Sequence, residues 1–470
     1  MPLPSVIENR PKVYGVFADV YERNRPFGNL IYKNFTQWLE DGTFVPNRVE
    51  ELPSGLAGVV AGLERLKNNQ LSVQARLYQI ELVGEALIRL LSELDGYEPR
   101  IGPGLGNWYR FTIKNSAYIM KTQKALFINE KQGPFVIETR DVQKARAGEL
   151  LVKIKATALN PVDWAIQAHG IILENYPSIL GIDIAGDVEE IGEGVEGFAK
   201  GDRVFFQGTW NHGDWGNDFS GFQQYARCPA QFASKIPAKY SYSQVASIPL
   251  CFATASIPLF SENGAALNPR FDPKVQYTGQ SALVLGGSTS VGQYGIQLLK
   301  FTGFSTIIAY ASGQHTDYLK SLGATHVVDR KAVSLTDLPG EVKKITGGKP
   351  VNIVHDTISN LNVDPLAAGI AVLPEDGPLV TVLPPTIPLP AIVKDRKNVF
   401  QVYADVWEVN RSFGIMINEN FTKWLEDGTF VPNRVEELPN GLAGIVDGLE
   451  RLKNNQISGI KLVVNPQETP

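Results

Sequence analysis

Residues Ser281–Lys300 read SALVLGGSTSVGQYGIQLLK. A short apolar run, Ala282–Leu285, meets a loop of small residues, Gly286–Gly292, which opens an apolar-faced segment with Val291, Ile296, Leu298 and Leu299. The spacing predicts strand, tight loop and helix. Small residues let the backbone come close to a pyrophosphate, and the N–H groups of a first helical turn face its charge. Gly286, Gly287, Ser288, Thr289, Val291 and Gly292 are therefore candidate dinucleotide contacts. The middle glycine of the usual pattern is replaced by Thr289, whose hydroxyl is itself a phosphate donor. Alone, such a loop also serves as a plain turn, so its surroundings decide.

Downstream, Thr306–Arg330 (TIIAYASGQHTDYLKSLGATHVVDR) gives strand, helix, strand, and Val351–Ser359 and Gly377–Pro385 supply further strands. This βαβ series predicts a parallel, doubly wound sheet. An NAD site places an acidic residue at the end of the second strand, for the ribose hydroxyl. That end reads AYASGQH, with no carboxylate. Ser312, Gln314 and His315 instead suit a 2′-phosphate, which favours NADPH over NADH; the other reading of Ser312 and His315 is an ordinary solvated turn.

The chain has 470 residues, long enough for two or three domains. A hydrophobic content of 43% with 20% charged residues fits a folded soluble protein, and a net charge of −5 speaks against a nucleic-acid partner. Two cysteines and no disulfide framework point to a reducing compartment. MPLPSVIENRPK lacks the apolar core of a signal peptide, and no run approaches the ~18 apolar residues of a spanning helix. A cytosolic protein without a membrane partner is expected.

Phe421–Gln456 (FTKWLEDGTFVPNRVEELPNGLAGIVDGLERLKNNQ) nearly repeats Phe35–Gln70, and over residues 1–72 and 387–458 the alignment is gap-free, with 49 of 72 positions identical. Solenoids need three or more units, so this pair is not one. The segment reads as a domain tail: a Trp/Phe helix at Phe421–Leu425, a turn at Asp427-Gly428, an extended stretch and a second helix. Leu442, Ile445, Val446, Leu449 and Leu452 are predicted on one face of that helix, followed by a closing strand, ISGIKLVVN. At Met120 a new domain begins. The layout inferred is a spare tail (1–80), a linker (81–119) and an enzyme-sized unit (120–470), as though the end of one paralogue were joined to a whole neighbour. A tandem-gene fusion and a faulty gene model both produce it.

Met120–Asn465 resembles the medium-chain dehydrogenase/reductases, in their zinc-independent quinone-oxidoreductase and enoyl-reductase branch of fungal GroES-like type. The motifs are ALNPVDW (Ala158–Trp164), GIDIAGDVEEIGEGVEGFAKGDRVF (Gly181–Phe205), GFQQYA (Gly221–Ala226), GGSTSVGQYGIQ (Gly286–Gln297), LGATHVVD (Leu322–Asp329) and GLERLKNNQISGIKLVV. The resemblance implies an α/β fold, a GroES-like β-barrel catalytic domain plus a Rossmann doubly wound parallel sheet. It divides the unit into catalytic domain 120–262, Rossmann NADPH-binding domain 263–395 and returning catalytic tail 396–470. Relatives commonly pair through the Rossmann sheet edge, which makes a homodimer the expectation.

Metal-dependent relatives carry a cysteine where this chain has Asn160, a histidine where it has Ile182, and four clustered cysteines. Cys228 and Cys251 read as packing residues, and the five histidines are scattered, so no metal site is expected. Without a Lewis acid, reduction of an activated C=C bond (enoyl or enone) or of a quinone by hydride from NADPH is the implied chemistry, acting on a small-molecule substrate. Asn160 and Asp163 occupy the family's NPxD position; their alternative reading is a turn and a helix cap. The family's tyrosine two places past that Asp is Ala165 here. Tyr176 is a candidate donor or a strand-edge aromatic, and Trp210, Trp215 and Phe219 are candidates to line an apolar pocket. The competing function is a nucleotide-binding protein without turnover, or a fused product whose extra tail impairs the catalytic domain.

Overall fold

The computed structural model describes residues 121–210, 216–358, 363–401 and 403–470. The expectations for 1–80 and 81–119 lie outside them.

The first strands are β1 (Thr122–Ile128), β2 (Phe135–Asp141) and β3 (Glu149–Ala158), then helix α1 (Pro161–His169) and strands β4 (Ser178–Ile179), β5 (Asp183–Ile191), β6 (Arg203–Gln207), β7 (Tyr225–Pro229) and β8 (Ser234–Lys235). β1 pairs with β2 and β4, while β3 pairs antiparallel with β5 and β7, and β5 with β6. Helices α2 (Tyr242–Ala246) and α3 (Pro249–Phe260) follow. Tyr242–Phe260 is apolar enough by composition and length to cross a membrane, which the sequence reading overlooked; 78% of the stretch is buried inside the protein.

Next come β9 (Ser281–Leu285), α4 (Ser290–Phe301), β10 (Thr306–Ala311), α5 (Thr316–Leu322), β11 (His326–Asp329), α6 (Leu338–Ile345), β12 (Ile353–Asp356), α7 (Asp364–Ile370), β13 (Leu379–Thr381), α8 (Ala391–Lys394) and β14 (Val399–Gln401). The six strands form one parallel sheet, ordered β11-β10-β9-β12-β13-β14. Every residue of β9 is buried, as expected of a strand covered on both faces. The order reverses at β9, and the loop 286–292 leaves its carboxyl end there, where doubly wound sheets bind ligands. The sheet extends past the expected boundary at 395, because Val399–Gln401 adds a sixth strand beside β13.

The chain then returns through α9 (Arg411–Asp427), β15 (Val435–Leu438), α10 (Leu442–Lys453) and β16 (Lys461–Val464). β16 lies between β15 and β3, so the tail completes the sheet begun at Glu149. Gly428 ends α9 in the left-handed conformation (φ 75°), at the predicted turn. Two apolar clusters hold the tail. In the larger, Phe252 lies 4.8 Å from Phe421 and 5.0 Å from Phe430, ring centroid to centroid, and Trp407 stacks on Phe232. In the smaller, Leu442, Ile445 and Leu449 pack with Ile166, Leu180 and Phe222. Burying each such side chain is worth about 1.5–3 kcal/mol. Val446 departs from expectation: it is exposed, at the far border of the helix face.

Candidate active site

Asn160 ends β3 and caps α1 with extended backbone (φ −127°, ψ 150°), and Pro161 stands at the first helical position, where its missing N–H is not needed. The Asp163 carboxylate turns back and accepts the Asn160 N–H at 2.8 Å, the helix-cap role that was one of its two readings. The Asn160 side chain is buried. Its Nδ2 donates to Asp183 Oδ2 at 2.8 Å, and its Oδ1 accepts from the Lys461 ammonium. Lys461 also donates to Asp183 Oδ2 at 3.1 Å and to Cys251 Sγ at 3.1 Å. The second oxygen of Asp183 takes the Leu250 N–H at 2.7 Å.

This cluster forms where the ends of three strands meet. Ala158 of β3 faces Asp183 of β5 and Val463 of β16, and the Leu159 N–H donates to the Leu462 carbonyl at 2.9 Å. Asp163 and Asp183 are fully buried and Lys461 is only 4% exposed. Burial pushes the Asp163 carboxyl up to about 7; the Asp183 charge adds to this, and the Asn160 N–H and Lys461 oppose it. Burial works against the Lys461 ammonium, yet Cys251 and Asp183 hold its pKa above the ordinary lysine value. Burial also pushes the Cys251 thiol up, against the pull of Lys461 and of a hydrogen bond from Ser290. Cys251 is thus more than packing: it joins the cluster to the first residue of α4.

In the loop itself, Gly286 has φ 77°, and a Cβ there would collide with Ile358. A Cβ on Gly292 would run into the Gly286 carbonyl oxygen, so only glycine lets α4 start this close to the strand. Thr289 is the N-cap of α4: its hydroxyl accepts the Gly292 N–H at 2.9 Å and lies 2.9 Å from the Thr357 hydroxyl. Thr357 in turn donates to the Leu285 carbonyl at 2.7 Å. The hydroxyl expected to meet phosphate is therefore engaged within the protein. The first-turn N–H groups at Ser290 and Val291 have no intrahelical acceptor and remain the anion-facing donors. Ser288 presents its carbonyl to Gln293 Nε2 at 3.0 Å.

At the end of β10, Ser312 and His315 are both buried. His315 Nδ1 accepts from Arg434 Nη2 at 3.0 Å, and its Nε2 lies 2.9 Å from Ser458 Oγ. Burial lowers the pKa of this imidazole, with Arg434 and Arg330 adding to the effect. One residue before Arg434, the Asn433 amide donates to the Ser290 carbonyl at 3.2 Å. The tail stretch Asn433–Arg434 thus touches both the glycine loop and the second strand's end.

Tyr176 and Trp210 are half-buried and pack against the smaller apolar cluster; no hydrogen bond joins Tyr176 to Asn160 or Asp163. Trp215 lies outside the described residues. Phe219 is not a pocket wall: it is 2% exposed, with Trp407 5.3 Å away edge-on and the Arg227 guanidinium 4.6 Å above its ring. Sequence reasoning missed Lys461, Asp183, Asn433 and Arg434. Lys461 is 301 positions from Asn160, a separation no local pattern bridges.

A zinc ion does not fit these residues. Among the described residues no group of three or more His, Cys, Asp or Glu is placed to share a metal. The O/S donor cluster of Asn160, Asp183 and Cys251 already encloses a cation, the Lys461 ammonium. The loop and strand ends do fit a dinucleotide: a glycine-only backbone and first-turn donors without intrahelical acceptors stand at the carboxyl end of β9, beside the polar end of β10.

Comparison with known proteins agrees with this architecture. The family described as alcohol dehydrogenase GroES-like domain matches residues 146–238, and that described as zinc-binding dehydrogenase matches residues 290–403. The chain is 36% identical over 225 residues to dehydrogenase pigH of Monascus ruber, an alignment covering 46% of this chain and 60% of that protein. It is 29% identical over 355 residues to trans-enoyl reductase tndF of Aspergillus flavipes, covering 73% of this chain and 99% of the relative. The fold superposes with a TM-score of 0.60 on an alcohol dehydrogenase superfamily protein from Novosphingobium aromaticivorans, 25% identical, over 73% of this chain and 99% of that one. With an antiparallel unit closed by its own returning tail, a six-stranded parallel sheet inserted in it and a glycine loop at the switch point, the chain belongs to the medium-chain dehydrogenase/reductase superfamily.

Proposed function

We propose that this chain is a zinc-independent, NADPH-dependent oxidoreductase that reduces an activated C=C bond (enoyl or enone), or a quinone. The observation that carries the reading is the Lys461 cluster beside the glycine loop: its charge is already balanced by an ammonium and a carboxylate, so its donors have no vacancy for a Lewis acid. A conjugated alkene needs less polarisation than an isolated carbonyl, which suits such a site. The relative named trans-enoyl reductase, aligned over nearly all its length, supports the same chemistry.

When bound, the reduced nicotinamide supplies the hydride. Gly286, Gly287, Ser288, Thr289, Val291 and Gly292 would line the pyrophosphate side, with the Ser290 and Val291 N–H groups as its donors, and Ser312 and His315 would lie at the ribose end. Asn160 and Asp163 act as positioning residues, since their side chains are buried and hydrogen-bonded within the protein. They fix the end of β3 and the start of α1. Tyr176, half-buried nearby in sequence, is the candidate donor to the charge that develops on substrate, and solvent supplies the last proton. A homodimer through the β14 edge and a cytosolic location complete the reading; gel filtration and cell fractionation test them.

The test is to mix the full chain with NADPH and a panel of quinones, enones and enoyl thioesters, and to follow cofactor absorbance. Oxidation with at least one acceptor, unchanged by a chelator, is expected. Cofactor binding without oxidation across the panel supports the competing reading of a nucleotide-binding protein without turnover, which the absence of the family tyrosine at Ala165 favours. Loss of activity with chelator overturns the zinc-free assignment.

A further inference from the structure

We infer that Arg434, carried by the returning tail and not by the nucleotide-binding domain, is the residue that selects NADPH over NADH by binding the 2′-phosphate of the adenosine ribose. The inference rests on the cofactor reading above and deepens it.

The position comes first. In doubly wound sheets the adenosine ribose sits at the carboxyl end of the second strand; a carboxylate there takes its hydroxyls, whereas an arginine takes a 2′-phosphate. β10 is that strand, and it ends at Ala311 and Ser312. Asp329, from the neighbouring β11, is a carboxylate that contacts the turn that follows. Its Oδ1 is occupied by the N–H groups of Gly313 and Lys331, both at 3.0 Å. Arg434 reaches the same turn by its hydrogen bond to His315.

The charge comes second. Arg434 forms no ion pair among the described residues. The two charges that act on His315 are both positive, Arg434 and Arg330. The imidazole itself accepts at Nδ1 from arginine, which places its proton on Nε2, toward Ser458; it orients Arg434 and adds no charge.

The third point is rigidity. The Arg434 guanidinium lies 3.9 Å over the Tyr318 ring, and the Tyr318 hydroxyl is anchored on Gln293 Oε1 of α4 at 2.8 Å. Nε and Nη2 both reach the Gly459 carbonyl, at 3.3 and 3.1 Å. One edge of the fork is thus fixed while the residue as a whole stays exposed. A planar donor held this way loses little freedom on meeting a phosphate. Because Asn433 touches the glycine loop, the tail spans from that loop to the turn after β10.

The experiment is calorimetric titration of the full chain with adenosine 2′,5′-bisphosphate and with AMP, in wild type, Arg434→Gln and Arg434→Lys. Wild type is expected to bind the bisphosphate more tightly than AMP. Arg434→Gln is expected to weaken the bisphosphate about 10- to 100-fold, the range of a charged hydrogen-bonded contact, and to leave AMP within about twofold. Arg434→Lys, which keeps the charge and loses the fork, falls between. If wild type prefers the bisphosphate and both variants keep that preference, the role of Arg434 is overturned and the NADPH reading stands. If both probes weaken equally, Arg434 supports the fold or the adenine, and the inference again fails. If wild type binds the two probes alike, the NADPH reading itself falls, and this inference with it.

Discussion

Two polar clusters are tied down by the same returning tail, one by Lys461 and one by Arg434, and they differ in charge balance. Around Lys461 every strong group has a partner inside the protein: ammonium against Asp183, the Asn160 amide against both, the Leu250 N–H on the remaining carboxylate oxygen. Around Arg434 the partners are a backbone carbonyl, an uncharged imidazole and an aromatic ring, none of which neutralises it. A buried charge without compensation is too costly to keep, so the first cluster had to close; an exposed guanidinium carries no such demand and can wait for an anion. Burial and neutrality together mark a framework element, and fixed geometry with surplus charge marks a recognition element.

The largest expected effect lies in the closed cluster. Lys461→Met leaves Asp183 buried without its cation and is expected to cost about 3–5 kcal/mol in urea unfolding. Lys461→Met combined with Asp183→Asn should recover most of that loss. A single-variant cost below about 1 kcal/mol would break the contrast. Next in size is a pH effect. The Asp163 carboxyl titrates near 7 in the fold against an ordinary 3.8, so its contribution to stability is complete below pH 4 and is lost as pH rises toward 7. Asp163→Asn, which keeps an oxygen for the Asn160 N–H, should remove that decline, at most about 1.4 kcal/mol per pH unit. An unchanged slope in thermal melts from pH 4 to 7 would show that this group is not the source. Arg434→Gln should shift unfolding by only about 0.5 kcal/mol while binding of the 2′-phosphorylated probe drops. Destabilisation comparable to that of Lys461→Met would turn the recognition cluster into a second framework. The smallest effect is expected from the half-exposed Arg451–Glu436 pair on the same tail (2.7 Å): a double-mutant cycle should return about 0.2–1 kcal/mol.

Period and loop chemistry made the nucleotide-binding half legible. The all-buried β9, the left-handed Gly286 and the helix beginning at Ser290 follow from a stretch of twenty residues, and each local signal agrees with the global sheet. The polar clusters were not legible, because they join residues hundreds of positions apart. Lys461 sits in a short alternating run, IKLVV, where a lysine reads as a solvent-facing position; in the fold all four residues of β16 are buried, so the alternation does not mark a solvated face. Arg434 follows Pro432-Asn433 in what reads as a plain extended stretch. Thr289 shows the reverse error: a hydroxyl in a phosphate loop suggested a ligand donor, and local backbone demand claimed it as a cap. Phe219 was drawn toward the pocket by its glycine-rich neighbours, but an aromatic able to reach Trp407 gains more by packing there. The boundary near 395 failed because three extended residues, Val399–Gln401, are too short to signal a strand.

The placement of Lys461 on β16 has a consequence for the near-copy at the start of the chain. The match between the two ends covers 387–458 and stops three residues before Lys461. Carried on in the same register, position 75 is alanine, whereas Arg48 stands in the register of Arg434. In that register the spare sequence keeps the arginine but lacks the lysine that balances Asp183 in the tail. A tail without that lysine would leave Asp183 buried with no ammonium beside it.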